Sequence, residues 1–223
     1  EGLAVEPTSL FVEAAGFAPA IDGPFEVGPA TAPRKVELHP GAALRGVLKD
    51  SKGEPIANAP VNVDRPPTDT LAPRDWDLVT DAHGRFELVD LAPGTYDVMR
   101  VIREEWGAMH DLSQRVEITE ARVYDVELRP RGATTLVGRL PSTVATDACF
   151  SVSAELQGSE RNGQSLWRGA VAKNGRFELD GLEAGRWSLL LFESGLTLPQ
   201  RRSGRLDVDV PASGTITVDV DVK

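Results

Sequence analysis

Thr80–Val98, TDAHGRFELVDLAPGTYDV, is the stretch whose reading decides the fold. Asp81-Ala82-His83-Gly84 carries the residue types of a tight turn, and Pro93-Gly94 those of a second. Apolar and polar residues alternate beside them: Phe86 and Leu88 around Glu87, Tyr96 and Val98 around Asp97. A period of two places every second side chain on one face, which suits a strand with one buried side. The local order is turn, strand, turn, strand. Lys173–Leu191 (KNGRFELDGLEAGRWSLLL) is a near copy about ninety residues further on.

A second string repeats around it. Lys35–His39 (KVELH), Tyr124–Arg129 (YDVELR) and Val218–Val222 (VDVDV) alternate apolar residues with acids, and Pro follows the first two. Copies at this spacing mark the ends of repeated units. The chain then divides into residues 1–40, the C-terminal part of a preceding unit or an extension packed on the next one; 41–130, a full unit; and 131–223, a second, divergent unit. Residues 1–40 could equally add to the sheet edge of another chain. Leu10–Val12 and Phe25–Val27 are their short apolar runs.

In the first full unit, Leu44–Asp50 and Ala59–Val63 flank the turn Ser51-Lys52-Gly53-Glu54-Pro55, so the turn chemistry predicts a β-hairpin. Arg65–Asp77 (RPPTDTLAPRDWD) reads as a long loop, because its three prolines disfavour a sheet interior. A polar excursion with an aromatic tip, Arg103–Gly107, follows the strand that ends near Ile102. Val116–Ile118 and Tyr124–Leu128 read as the last pair of strands. The second unit keeps this order, with Cys149–Leu156 as an early strand and Gly158–Ser165 as a polar loop. No segment sustains an i, i+3, i+4, i+7 apolar pattern, and short strands with Gly and Pro turns argue for an all-β sandwich.

Bulk composition narrows the function classes. The 223 residues suffice for two domains of about 100 residues. With 41% hydrophobic residues the chain can fill packed cores. A net charge of −10 argues against nucleic-acid partners, which need a basic footprint. No apolar run reaches the roughly 20 residues of a membrane helix. The single cysteine, Cys149, rules out an internal disulfide and reads as a small buried hydrophobe. The sequence begins at Glu1 without a signal-peptide pattern and is expected to be a processed protein or a fragment.

The first unit resembles a known family. Gly46, Leu48, Asp50, Gly53, Pro55, Ile56, Ala59 and Val61 fit the opening signature of carboxypeptidase regulatory-like domains. Thr80, Asp81, Gly84, Phe86, Leu91, Pro93, Gly94 and Tyr96 fit their later one. The second unit keeps only Gly175, Phe177, Leu182 and Gly185, with Trp187 in the place of Tyr96. The resemblance implies tandem seven-stranded Greek-key β-sandwiches, transthyretin-like or Ig-like. It also implies non-catalytic modules of secreted, periplasmic or cell-surface proteins.

No side-chain set points to catalysis. His39, His83 and His110 lie in turns and loops, outside any H-E-x-x-H cluster, and there is no G-x-S-x-G elbow. No cofactor or metal is expected. Asp207, Asp209, Asp219 and Asp221 read as a solvated acidic face; only if their strands are neighbours would four carboxylates crowd together and favour calcium. Asp50 and Asp81 are expected to bind their own turns. Lys49 has no asparagine opposite it on the closing strand for an isopeptide bond. Trp187 is expected in the core. Trp76 and Trp106, both placed in long loops, are the candidate contacts for a glycan or a partner protein.

The expected function is architectural: a spacer of sandwich modules in a larger bacterial secreted or cell-surface protein, with neighbouring domains of the same polypeptide as partners. Short junctions at His39-Pro40-Gly41 and Arg129–Gly132 are expected to restrict hinge motion. The alternatives are a binding module for carbohydrate or protein, or a folding accessory of a zinc carboxypeptidase.

Overall fold

The computed structural model describes residues 7–28, 32–66, 74–104, 107–144, 148–158, 167–193 and 202–223. All of its regular elements are strands. β1 (Pro7–Val12) and β2 (Ala20–Glu26) form an antiparallel hairpin of their own. The first sandwich contains β3 (Ala42–Leu48), β4 (Pro60–Arg65), β5 (Arg74–Val79), β6 (Arg85–Leu91), β7 (Gly94–Glu104), β8 (Gly107–Ile118) and β9 (Val123–Leu128). The second contains β10 (Ala133–Arg139), β11 (Phe150–Leu156), β12 (Trp167–Ala172), β13 (Arg176–Leu182), β14 (Gly185–Glu193), β15 (Ser203–Val210) and β16 (Ser213–Asp219).

The two sandwiches share one topology. A three-stranded sheet β6-β3-β9 faces a four-stranded sheet β5-β4-β7-β8; the second has β13-β10-β16 and β12-β11-β14-β15. β3 and β9 run parallel, as do β10 and β16, and the remaining pairs are antiparallel.

Period-two alternation produces the cores. β3 buries Ala42, Leu44 and Leu48 and turns Arg45 outward. Leu44, Leu48, Val61, Val63, Tyr96 and Val98 pack with Phe86 in the first core; Leu136, Phe150, Val152, Phe177, Leu179, Trp187 and Leu189 fill the second. Two devices recur. Gly46 lies opposite Phe86 and Gly138 opposite Phe177, and each ring covers its glycine. A Cβ on Gly46 would sit 1.8 Å from Phe86 Cζ, and one on Gly138 2.0 Å from the Phe177 ring. Likewise, Tyr96 donates its hydroxyl to Ala92 O at 2.8 Å and Trp187 its indole N–H to Glu183 O at 2.9 Å. Each large ring thereby enters the core with its one polar atom satisfied.

The turns behave as their chemistry demands. Asp81 Oδ1 accepts from the His83 and Arg85 amides, and Asp50 Oδ1 from those of Lys52 and Glu54. The Arg85 and His83 amides hold the Asp81 carboxyl below its ordinary range.

Several expectations need correction. The turn at residues 51–55 does not make a hairpin of β3 and β4, because these strands belong to opposite sheets. Turn chemistry specifies a local reversal; here it closes the isolated Lys49–Pro55 bridge, after which the chain crosses to the other sheet. β8 and β9 are not paired either, since they too lie in opposite sheets. The excursion after Ile102 belongs to the far end of a long β7–β8 ladder, which shifts register at Leu112 and stays paired out to Glu104 and Gly107. Lys35–Leu38 adopts no strand, unlike its sequence counterpart in β9. Cys149 is only half-buried; its neighbour Phe150 fills the core. Asp207 and Asp209 lie on β15 and Asp219 on β16, strands of different sheets, and the tail that holds Asp221 meets β15 at its start, Ser203. Asp207 instead accepts from Ser188 Oγ at 2.7 Å.

Candidate functional site at the two junctions

Each sandwich has a flank where the edge strand of its four-stranded sheet (β5 or β12) stands over the edge strand of the smaller one (β6 or β13). In both sandwiches the chain that precedes it reaches onto this flank.

At the second junction the covering element is β8. Asp111, 3% exposed, reaches Arg168 on β12, 6% exposed. Arg168 Nε donates to Asp111 Oδ1 at 2.7 Å, and the Gly169 amide donates to the same oxygen at 3.2 Å. Arg168 Nη1 reaches Gly181 O at 3.3 Å, and Arg100 approaches Asp111 Oδ2 at 3.4 Å. A pair removed from water this fully holds only while both charges and their hydrogen bonds are present. Two further contacts flank it. The Gly132 amide donates to Gly181 O at 3.0 Å. Ser51 of the first sandwich donates to Asp180 of the second, which also accepts from Thr135 Oγ1. Burial pushes the Asp180 carboxyl up, but the hydrogen bonds from Ser51, Thr135 and the Gly181 amide outweigh it and leave the group below its ordinary value.

At the first junction the covering element is the segment between β1 and β2. Glu13 pairs with Arg74 on β5. The Gly16 amide donates to Asp90 Oδ1 at 3.0 Å, the Gly41 amide to Gly16 O at 3.1 Å and the Ala18 amide to His39 O at 2.8 Å. Asp90 has φ +61°, and Gly181 at the matching bulge of β13 has φ +65°. Beside the segment a cavity of about 390 Å³ remains, lined among others by Phe17, Arg65, Arg74, Trp76, Asp90 and Tyr96.

Strand register aligns the two flanks. Val98 lies opposite Val63, and Val63 opposite Trp76; Leu189 lies opposite Ala154, and Ala154 opposite Arg168. Since Tyr96 and Trp187 match, Trp76 holds the position of Arg168. Trp76 is therefore a strand residue, not a loop residue as its proline-rich surroundings predict. It is half-buried, 6.0 Å from the Tyr96 ring, with the Arg74 guanidinium 5.1 Å and that of Arg65 6.0 Å from its own ring. Arg65 is 2% exposed. Burial raises the Tyr96 phenol although Arg65 acts to lower it. Trp106, the other candidate contact, lies outside the described residues.

Sequence reading missed Asp111 and Arg168. A signal was present: Arg168 shares a strand face with Ala170 and Ala172, both core residues, so alternation places a guanidinium at the core edge.

Residues 43–104 match the sequence profile of the carboxypeptidase regulatory-like domain. No curated protein matches the chain in sequence. Among solved structures, a Streptococcal ancillary pilin is 15% identical over 98% of this chain and 76% of its own, with a TM-score of 0.32. GBS52, the minor pilin of Streptococcus agalactiae, is 13% identical over 82% of this chain and 95% of its own, at 0.36. A DUF3823 family protein from Bacteroides uniformis is 11% identical over 77% of this chain and 100% of its own, at 0.32. The match to the carboxypeptidase regulatory-like domain thus falls within the first sandwich, and the second sandwich repeats its strand order.

Proposed function

We propose that this chain is a non-catalytic spacer within a larger bacterial secreted or cell-surface protein, divided into residues 1–40, 41–130 and 131–223. Residues 41–130 and 131–223 are the full modules, and 1–40 is either the C-terminal part of a preceding module or an extension packed on the first. Its task is to hold neighbouring domains of one polypeptide at a fixed distance and orientation. The observation that carries this reading is the buried Asp111–Arg168 pair, which joins the two sandwiches through side chains as well as through the backbone. A tether needs no such contact; a spacer that transmits orientation does. The placement outside the cytoplasm draws support from the family, whose members serve as modules of exported proteins.

Residual dipolar couplings measured in one alignment medium test it. A single alignment tensor should fit amides of both sandwiches, and Asp111→Ala should split it into two. Two unrelated tensors in the unaltered chain would defeat the spacer reading.

A further inference from the structure

We propose that the cavity at the first junction binds a uronic acid residue, a sugar ring bearing a carboxylate. This site goes beyond the spacer role and does not depend on it. At the second junction the matching flank is occupied by the Asp111–Arg168 pair. At the first, the segment between β1 and β2 leaves about 390 Å³. That lies within the roughly 300–1,000 Å³ of small-molecule sites. The lining supplies what such a ring requires. Trp76 lines the space with the Arg74 guanidinium already over its ring, so it lies beside the carboxylate-binding group and reports on a ligand there rather than serving as a free stacking face. The Arg65 and Arg74 guanidiniums stand 6.0 and 5.1 Å from that indole, a local cationic pair in a chain of net charge −10. Guanidinium is the side-chain group best shaped for a carboxylate. Asp90 lines the same space and can accept hydrogen bonds from ring hydroxyls.

Glu13 carries the argument further. Its carboxylate already sits on Arg74, so an acidic group fits there, and the ligand's carboxylate takes its place. Arg74 and Glu13 keep side-chain exposures of 39% and 50%, so the exchange takes place at an accessible pair. Binding thus replaces the Glu13–Arg74 pair, while the Gly16–Asp90 and Ala18–His39 hydrogen bonds keep the segment against the sandwich as one wall of the cavity.

The test is a titration of the whole chain with methyl β-D-glucuronide and, separately, methyl β-D-glucoside, read on the Trp76 indole N–H in heteronuclear NMR spectra. The Trp187 indole N–H, bonded inside the second sandwich, reports an intact fold. The glucuronide should shift the Trp76 signal saturably and the glucoside should not. Glu13→Gln should tighten binding about three-fold or more by removing the competitor, and Arg74→Gln should weaken it about ten-fold or more. Both changes lie at half-exposed positions and leave the core intact. No saturable shift, equal response to both sugars, or unchanged affinity in Arg74→Gln would overturn the proposal.

Discussion

Both junctions set a carboxylate of one unit on a guanidinium of the next, and both do so on the same flank of the sandwich. They differ in water. Asp111 and Arg168 have side-chain exposures of 2% and 7%, whereas those of Glu13 and Arg74 are 50% and 39%. In the first case the charges depend on each other, because neither has solvent as an alternative partner. In the second, water substitutes for either partner at little cost. The same chemical pair therefore works as a lock at one junction and as a latch at the other. What decides is the covering element: β8 is hydrogen-bonded along its length into a four-stranded sheet, whereas Glu13 sits between the strands of an isolated hairpin.

This contrast is most easily broken at the lock. Asp111→Ala leaves the Arg168 guanidinium buried without its counter-charge, and should cost about 3 kcal/mol. Urea unfolding followed by tryptophan fluorescence measures it. Replacing both partners with leucine should recover most of the loss, since the desolvation penalty disappears with the charges. A cost of under about 1 kcal/mol for the single change would mean that the pair is solvated and no lock exists.

Gly132 offers a steric test of the same junction. A Cβ there would sit 1.8 Å from Leu182 O and 1.9 Å from Leu182 C. These are backbone atoms of β13, which cannot swing aside as a side chain would. Gly132→Ala should cost about 1–3 kcal/mol and shift the sandwiches relative to each other. The displaced junction should appear as amide shift changes confined to β8, β12 and β13. Changes spread evenly through the second core would instead point to damage within the sandwich.

At the latch the same kind of deletion should barely register. Glu13→Ala is expected to cost less than about 1 kcal/mol, and the difference should shrink further in 1 M salt, where the Debye length falls to about 3 Å. A loss as large as that of Asp111→Ala would erase the distinction between the junctions.

Much of the fold was legible in the sequence because local rules sufficed for it. The alternation in Thr80–Val98 predicts β6 and β7, and the near copy at Lys173–Leu191 predicts β13 and β14. The match of Trp187 to Tyr96 holds down to the hydrogen bond each makes four residues back. Pairing was less legible. A Gly-x-Pro turn specifies that the chain reverses, but whether the flanking strands pair or part to opposite sheets depends on the whole core. Trp76 was hidden by the prolines before it, which mask the start of β5. The lock was hidden by distance: Asp111 and Arg168 stand 57 residues apart in different units. The alanines on its face mark Arg168 as a core-edge guanidinium, but Asp111 looks like a surface charge until Arg168 is placed beside it.

The smallest expected effect at the junctions concerns a proton. Asp180 receives hydrogen bonds from Ser51 across the lock and from Thr135 within its own sandwich, and its carboxyl lies below the ordinary 3.8. A carboxyl whose value is lower folded than unfolded contributes stability that is complete above the unfolded value and is lost as pH falls through the folded one. The contribution of Asp180 to the junction should therefore be complete at neutral pH and be lost only in acid, as pH falls through its lowered value. Carbon-detected NMR titration of the Asp180 side chain gives its midpoint directly. Ser51→Ala removes the contact that crosses between sandwiches and leaves Thr135 in place, so the midpoint should rise. An unmoved midpoint would show that Ser51 does not reach Asp180 in solution, and that Asp111–Arg168 and the Gly132 linker hold the lock without it.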